Sequence, residues 1–346
     1  MIQGIQYLRA IAIILVLVVH SYNFILSKLQ YTMEYSNFEF YTYIKQFVSI
    51  GDIGVDIFFI VSGFIILYIT KNSQDIKSFI LNRILRIIPL YWLYTTLLLL
   101  TYFIMNSQPD YNHLLLSLLF IPTFNDNSYL PFLGPGWTLS FEIFFYIIFS
   151  IILKYFNKNS HRVIGTFFMF LIMIVFTDFK IGTIGYFFTN PLLIEFCFGM
   201  FIAYLYMKNE TIFNFKIINV VLIIIVALTM SIISLIFHSE QLGYFRFIYF
   251  GIPAVLLFLG LIKIKIKIRI LNIVGDMSYT LYLAHYAFLL QVYWKIIVFF
   301  KLTLVLNFII HLFLLLLFIF IFGYLLYIYI EKPMVSYFHQ KYKREK

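Results

Sequence analysis

Apolar runs of about 20 residues alternate along the chain with short polar breaks, the length a helix needs to cross a bilayer's hydrocarbon. The pattern predicts ten spans, near 5–27, 46–70, 88–105, 137–153, 163–178, 190–207, 217–237, 245–262, 273–298 and 303–330. The apolar stretch 112–121, "NHLLLSLLFI", is only about half that length and is predicted to be re-entrant or interfacial. The first run holds a charged residue and is not followed by a small-residue cleavage site, so it is expected to be a retained span rather than a signal peptide. No internal repeat or low-complexity linker divides the chain. The fold class predicted is an all-α integral membrane protein, a single domain over 1–346.

Basic residues set a direction on these spans. With the N-terminus cytoplasmic, the inner segments 71–87, 154–162, 208–216, 263–272 and the tail hold 18 Lys or Arg, the outer segments hold six, and Arg9 lies within a span. Cytoplasmic loops carry such an excess, which predicts both termini inside. The net charge of +10 is then mostly an orientation signal and calls for no nucleic-acid partner. Composition agrees: the chain is 63% hydrophobic and 12% charged, too poor in charge to cover a soluble surface, which keeps roughly 25%. The single cysteine, Cys197, rules out an internal disulfide, and the seven histidines show no metal-ligand spacing, so neither metal nor bound cofactor is expected. The alternating "KIKIKIRI" of 263–270 is either a basic anchor beside anionic headgroups or a site for an anionic cytosolic substrate.

Ionisable groups inside spans are costly and usually mark function. Arg9 and His20 are eleven positions apart, within about 20° of a whole number of turns, so they share a helix face about 16 Å apart. Counted from the outer ends of their spans, His20, Asp52, Glu142 and Glu195 fall about 8–10 Å deep, with His285 also in the outer half. Arg9, Arg83 and Arg86 form a cationic layer at the inner face. The inner layer suits a phosphorylated cytosolic donor; the outer one suits proton transfer.

Seven segments, in this order, carry a resemblance: "YLRAIAIILVLVVH" (7–20), "GVDIFFIVSGFII" (54–66), "FILNRILRIIPLYW" (79–92), "GPGWTLSFEIFFY" (134–146), "NPLLIEFCFGM" (190–200), "SYTLYLAHYAF" (278–288) and "EKPM" (331–334). Together they resemble the integral-membrane acyltransferase family (acyltransferase type 3), from the first span to the tail. Two positions depart from the family's pattern: Ile143 stands where many members have a second glutamate, and Tyr286 where many have proline. The resemblance implies the stand-alone form, without an SGNH hydrolase-like domain, similar to polysaccharide O-acetyltransferases of the cell envelope. It implies acyl-CoA, with acetyl-CoA the simplest case, as co-substrate, a carbohydrate acceptor, and glycan-assembly proteins as partners in a cell membrane.

The candidate site follows. His20 and Glu142 are the candidate catalytic groups: His20 as general base, since an imidazole with its ordinary pKa of about 6.5 is mostly unprotonated at pH 7, and Glu142 to orient or polarise it, to hold the acceptor, or to serve as a structural hub. Arg9, Arg83 and Arg86 are candidate donor-binding residues, because guanidinium forks match phosphate oxygens; Arg83 and Arg86, at i and i+3, could equally anchor an interfacial helix. Pro89 is expected in the first turn of the third span. Asp52, Asp56, Glu195, Arg246 and His285 are acceptor-binding or structural, with His285 read as structural rather than catalytic. Ser62 and Gly63 read as close helix packing. The alternative function is a transporter or flippase of an anionic lipid-linked glycan, with the charged layers lining its path.

Overall fold

The computed structural model describes residues 2–30, 35–72, 75–104, 108–121, 130–176, 185, 187–238, 245–264, 266–303 and 307–344. Every regular element among them is helical, as hydrocarbon demands of backbone groups that have no water to bond. The main helices are α1 (Gln3–Leu29), α2 (Tyr35–Val48), α3 (Ile53–Thr70), α4 (Ile76–Ile104), α5 (Tyr111–Leu118), α6 (Gly136–Tyr155) and α7 (Asn159–Phe176). They are followed by α8 (Leu193–Lys208), α9 (Ile217–His238), α10 (Ile252–Leu261), α11 (Arg269–Asp276), α12 (Ser278–Phe299), α13 (Phe308–Leu326) and α14 (Lys332–Arg344).

Six helical stretches are long and apolar enough to cross a membrane: Gln3–Leu29, Asn37–Thr70, Ile76–Ile104, Gly136–Tyr155, Ser278–Phe299 and Phe308–Phe338. The other four expected spans meet shorter described apolar stretches, Asn159–Val175, Ile217–Ile233 and Phe247–Leu261, and the 16-residue α8. The expected spans 163–178, 217–237, 245–262 and 303–330 reach or border residues outside the described ones. The stretch predicted to be re-entrant or interfacial forms only the eight-residue α5, capped by Asp110, whose carboxylate accepts from the His113 amide.

α1 is the axis of the molecule, packed against α3, α11 and α13. Glycine lets the neighbouring pair α3 and α8 approach closely. A Cβ at Gly63 would collide with the Phe196 carbonyl, and one at Gly199 with the Ile60 carbonyl, which is the close packing expected of Gly63. One boundary differs from expectation. α4 begins at Ile76 and runs unbroken through Pro89, so the basic stretch 79–87 is part of the long helix and Pro89 is interior rather than in a first turn. Proline removes a ladder donor there. The Tyr279 hydroxyl donates to the nearby Ile87 carbonyl at 2.9 Å, tying this stretch to α12.

Candidate functional site

Arg9, Arg83, Arg86 and Glu142 line one cavity of about 100 Å³, walled by α1, α3, α4, α6 and α12. Arg9 is almost wholly buried, 7% exposed. Its guanidinium donates to the Ser278 hydroxyl at 2.9 Å and the Gln6 side-chain carboxamide oxygen at 3.3 Å, and the Gln6 amide nitrogen in turn donates to Asp276. Glu142 accepts from the Ser62 hydroxyl at 2.7 Å and from the Tyr146 hydroxyl, and Arg83 lines the same cavity as that tyrosine. Among the described residues, the buried Nε of Arg83 has no hydrogen-bond partner. Three guanidinium groups thus face one carboxylate across the cavity, while Asp276 and Glu331 act on Arg9 from outside its lining. A buried cationic wall with an unsatisfied donor suits an anionic ligand rich in acceptors.

Farther along α1, half-buried His20 meets fully buried His285 of α12. His20 Nδ1 lies 2.8 Å from His285 Nε2, with ring centroids 5.0 Å apart. Proton positions follow from the partners. His285 Nδ1 lies 2.8 Å from the Leu281 carbonyl, which can only accept, so Nδ1 carries the hydrogen and Nε2 is left as acceptor. His20 must then donate from its own Nδ1. Its Nε2 keeps a lone pair and has no protein partner among the described residues. His285 also opens a π-helical turn, His285–Leu289, a local widening often found at functional sites.

A second cavity, of about 380 Å³, lies beyond the histidines. Phe24, Leu98, Thr101, Tyr102, Phe132, Tyr286, Leu290 and Gln291 line it. Three helices order the whole site. Along α1 come Arg9, His20 and Phe24; along α4, Arg83 and Arg86 precede Leu98, Thr101 and Tyr102. Along α12, Ser278 and Tyr282 precede His285, and then Tyr286 and Gln291 follow. The histidine pair therefore stands between an arginine cavity and an aromatic cavity.

A family model described as an acyltransferase domain, acyltransferase type 3, matches residues 2–328. The chain belongs to this acyltransferase family. It is also similar to the exopolysaccharide production protein ExoZ of Rhizobium meliloti (strain 1021), 30% identical over 261 residues, which cover 68% of this chain and 76% of that one. No solved structure matches.

For this acyltransferase, the structure groups the expected residues differently in several places. Glu142 does not join an outer layer with His20; it lies in the arginine cavity, and no hydrogen bond links the two among the described residues. The reason is register: Ser62 of α3 and Tyr146, one turn along α6, hold its carboxylate there. Ser62 is correspondingly more than a packing residue. His285, read as structural, is the direct partner of His20. Asp52, Asp56, Glu195 and Arg246 line neither cavity. Arg246 instead pairs with fully buried Asp56 at 2.7 Å and donates to the Asp52 backbone carbonyl at 2.8 Å. Glu195 is fully buried against Gly251, and among the described residues neither of its carboxyl oxygens has a hydrogen-bond partner. This cluster braces the start of α3 against the turn that precedes α10. Gln6, Ser278, Tyr146 and Gln291 were missed, and Tyr286 was noted only as a departure from the family's pattern. Tyr286 and Ser278 lie inside the "SYTLYLAHYAF" segment and Tyr146 ends "GPGWTLSFEIFFY", and those segments were the available signal.

Proposed function

We propose that this acyltransferase moves an acyl group, acetyl in the simplest case, from cytosolic acyl-CoA to a hydroxyl of a cell-surface or lipid-linked carbohydrate. The observation that carries the reading is the histidine pair standing between a cationic cavity and a neutral one. A cavity of about 100 Å³ is too small for a whole nucleotide thioester. In this reading the phosphates rest on Arg83 and Arg86, and the narrow thioester arm runs past Arg9 toward His20, about 16 Å along α1.

The acceptor hydroxyl enters from the aromatic cavity and gives its proton to His20 Nε2. Its oxygen attacks the thioester carbonyl, the carbon–sulfur bond breaks, and the departing thiolate takes the proton back from His20. The imidazolium formed between these steps keeps its Nδ1–H on His285 Nε2, which the Leu281 carbonyl holds in the accepting tautomer. Glu142 and Tyr146 position Arg83. Ser278 and Gln6 position Arg9. This chemistry draws on no metal or bound cofactor. Exopolysaccharide production, for which the similar Rhizobium protein is named, is consistent with a glycan acceptor.

The proposal includes ten spans with both ends cytoplasmic, in the cell membrane. α1, α4 and α12, its first, third and ninth spans, each run from the arginine cavity toward the aromatic one, the common sense that this order requires. A cysteine introduced within 71–87 is then shielded from an impermeant external thiol reagent; labelling from outside would reverse the topology. The activity is tested by mass analysis of surface glycans from cells with and without this chain. An acyl increment on a sugar hydroxyl that depends on the chain is the expected result. Glycans lost from the surface altogether, with no change in acylation, would favour a transporter instead.

A further inference from the structure

The aromatic cavity presents a lining quite unlike that of the arginine cavity. Among the described residues, none of the side chains that line it is charged. Tyr102 of α4 and Phe132 stand 5.1 Å apart, centroid to centroid and tilted, and the rings of Phe24 and Tyr286 add to these. Thr101, Gln291 and the two tyrosine hydroxyls supply the polar points. The Thr101 hydroxyl already donates to the Leu98 carbonyl at 2.7 Å. Among the described residues, the Gln291 carboxamide and the hydroxyls of Tyr102 and Tyr286 make no hydrogen bond. A cationic group, Lys28, stands at the edge with its ammonium 5.4 Å from the Phe24 ring.

Rings interleaved with a few neutral donors and acceptors match one ligand chemistry well. A sugar ring has faces of C–H groups, which the electron-rich faces of aromatic rings attract, and an equator of hydroxyls that need partners. The volume, about 380 Å³, lies within the range of small-molecule sites, roughly 300–1,000 Å³. The cavity also meets the base: the Tyr286 ring lies 6.4 Å from that of His20, edge-on. Gly134 leaves room for the Tyr286 ring, since a Cβ there would press on it at 3.0 Å.

We infer that this cavity is the acceptor subsite and that it takes one neutral sugar unit, the unit that becomes acylated. The inference rests on the acyltransferase reading above and sharpens it. A carboxylate or phosphate on that unit would enter a lining that, among the described residues, carries no charge, which burial penalises heavily. Charged units elsewhere on the same glycan stay outside, where Lys28 can meet them.

The test uses the full-length protein in cells and in lipid nanodiscs. Glycans from cells carrying wild type, Gln291→Leu or Tyr102→Ala are analysed by tandem mass spectrometry, which assigns the acyl group to a particular sugar unit. Purified variants are checked for acetyl-CoA binding, which reports an intact fold and donor side. The expected result is acylation on a neutral unit, reduced at least fivefold in both variants, with the Kd for acetyl-CoA within twofold of wild type. Acylation on a uronic acid or phosphate-bearing unit would overturn the inference, as would unchanged acylation in both variants. If either variant loses acetyl-CoA binding, Gln291→Glu serves in its place: its carboxylate keeps the size of the side chain, and the same fivefold loss is expected. No acylation in wild type would sink the acyltransferase reading itself, a different outcome from either of these.

Discussion

The arginine cavity and the aromatic cavity share the walls of α1, α4 and α12, roughly 18 Å apart along α4. The first presents three guanidinium groups and one carboxylate; the second presents rings, hydroxyls and a carboxamide. The same helices thus offer opposite chemistry at their two ends. A fixed cationic wall recognises charge, which a phosphorylated donor carries and a neutral acceptor does not. In the proposed mechanism the uncharged wall recognises shape and hydroxyls. In that proposal, separating the two lets a single base between them serve a donor and an acceptor arriving from different directions. A second contrast sharpens the first. Arg246 is neutralised by Asp56 at 2.7 Å, whereas Arg83 keeps a buried Nε without a partner among the described residues. Both are arginines near span ends, yet one completes a structural pair and the other is left able to bind.

The largest expected effect lies between the cavities. His20→Ala removes the base and should lower kcat by about 10²–10⁴-fold, the usual contribution of general base catalysis. Acetyl-CoA binding, measured on the purified variant, should persist, because the arginine cavity is untouched. Near-normal turnover in this variant would make His20 structural and dissolve the two-sided picture.

Next comes the donor side. Arg83→Gln combined with Arg86→Gln should raise KM for acyl-CoA roughly 100-fold, from the loss of two charge-assisted contacts of about 1.5 kcal/mol each. Acceptor KM should not move. A parallel rise in both constants would mean that the arginine cavity is not specific to the donor.

A smaller effect is expected at the partner histidine. His285→Phe removes the acceptor for His20 Nδ1–H, worth about 1 kcal/mol, and should lower kcat roughly 5–10-fold. His285→Asn, whose carboxamide oxygen can accept, should recover part of it. Equal losses in both variants would point to packing rather than to proton placement.

The smallest concerns Glu142. Its Oε1 accepts from Ser62 and Tyr146, a task that an amide oxygen also performs, so Glu142→Gln should keep kcat within about threefold. Abolished turnover with donor binding intact would bring Glu142 into the chemistry and move it, functionally, out of the donor wall.

Much of this was legible without coordinates, and for local reasons. Hydropathy and run length depend only on neighbouring residues, so they located the apolar helices, the short α5 and the shared face of Arg9 and His20. The ordered motifs pointed to the family that the comparison supports. Pro89 shows where local rules stop: its fixed ring suggests a helix start, yet it lies in the interior of α4, two residues past an Ile87 carbonyl that accepts from Tyr279.

What the sequence determined by itself is therefore the class of protein, its membrane character and the residue types available for chemistry. Only the tertiary structure decided which of them meet. His20 finds His285 across 265 positions, and Arg9 finds Ser278 across 269. No local periodicity carries such pairings, because they depend on how far each helix is shifted and turned against its neighbours. One residue of register along α6 would turn the Glu142 side chain by about 100°, and with it the division between a wall that binds charge and one that does not.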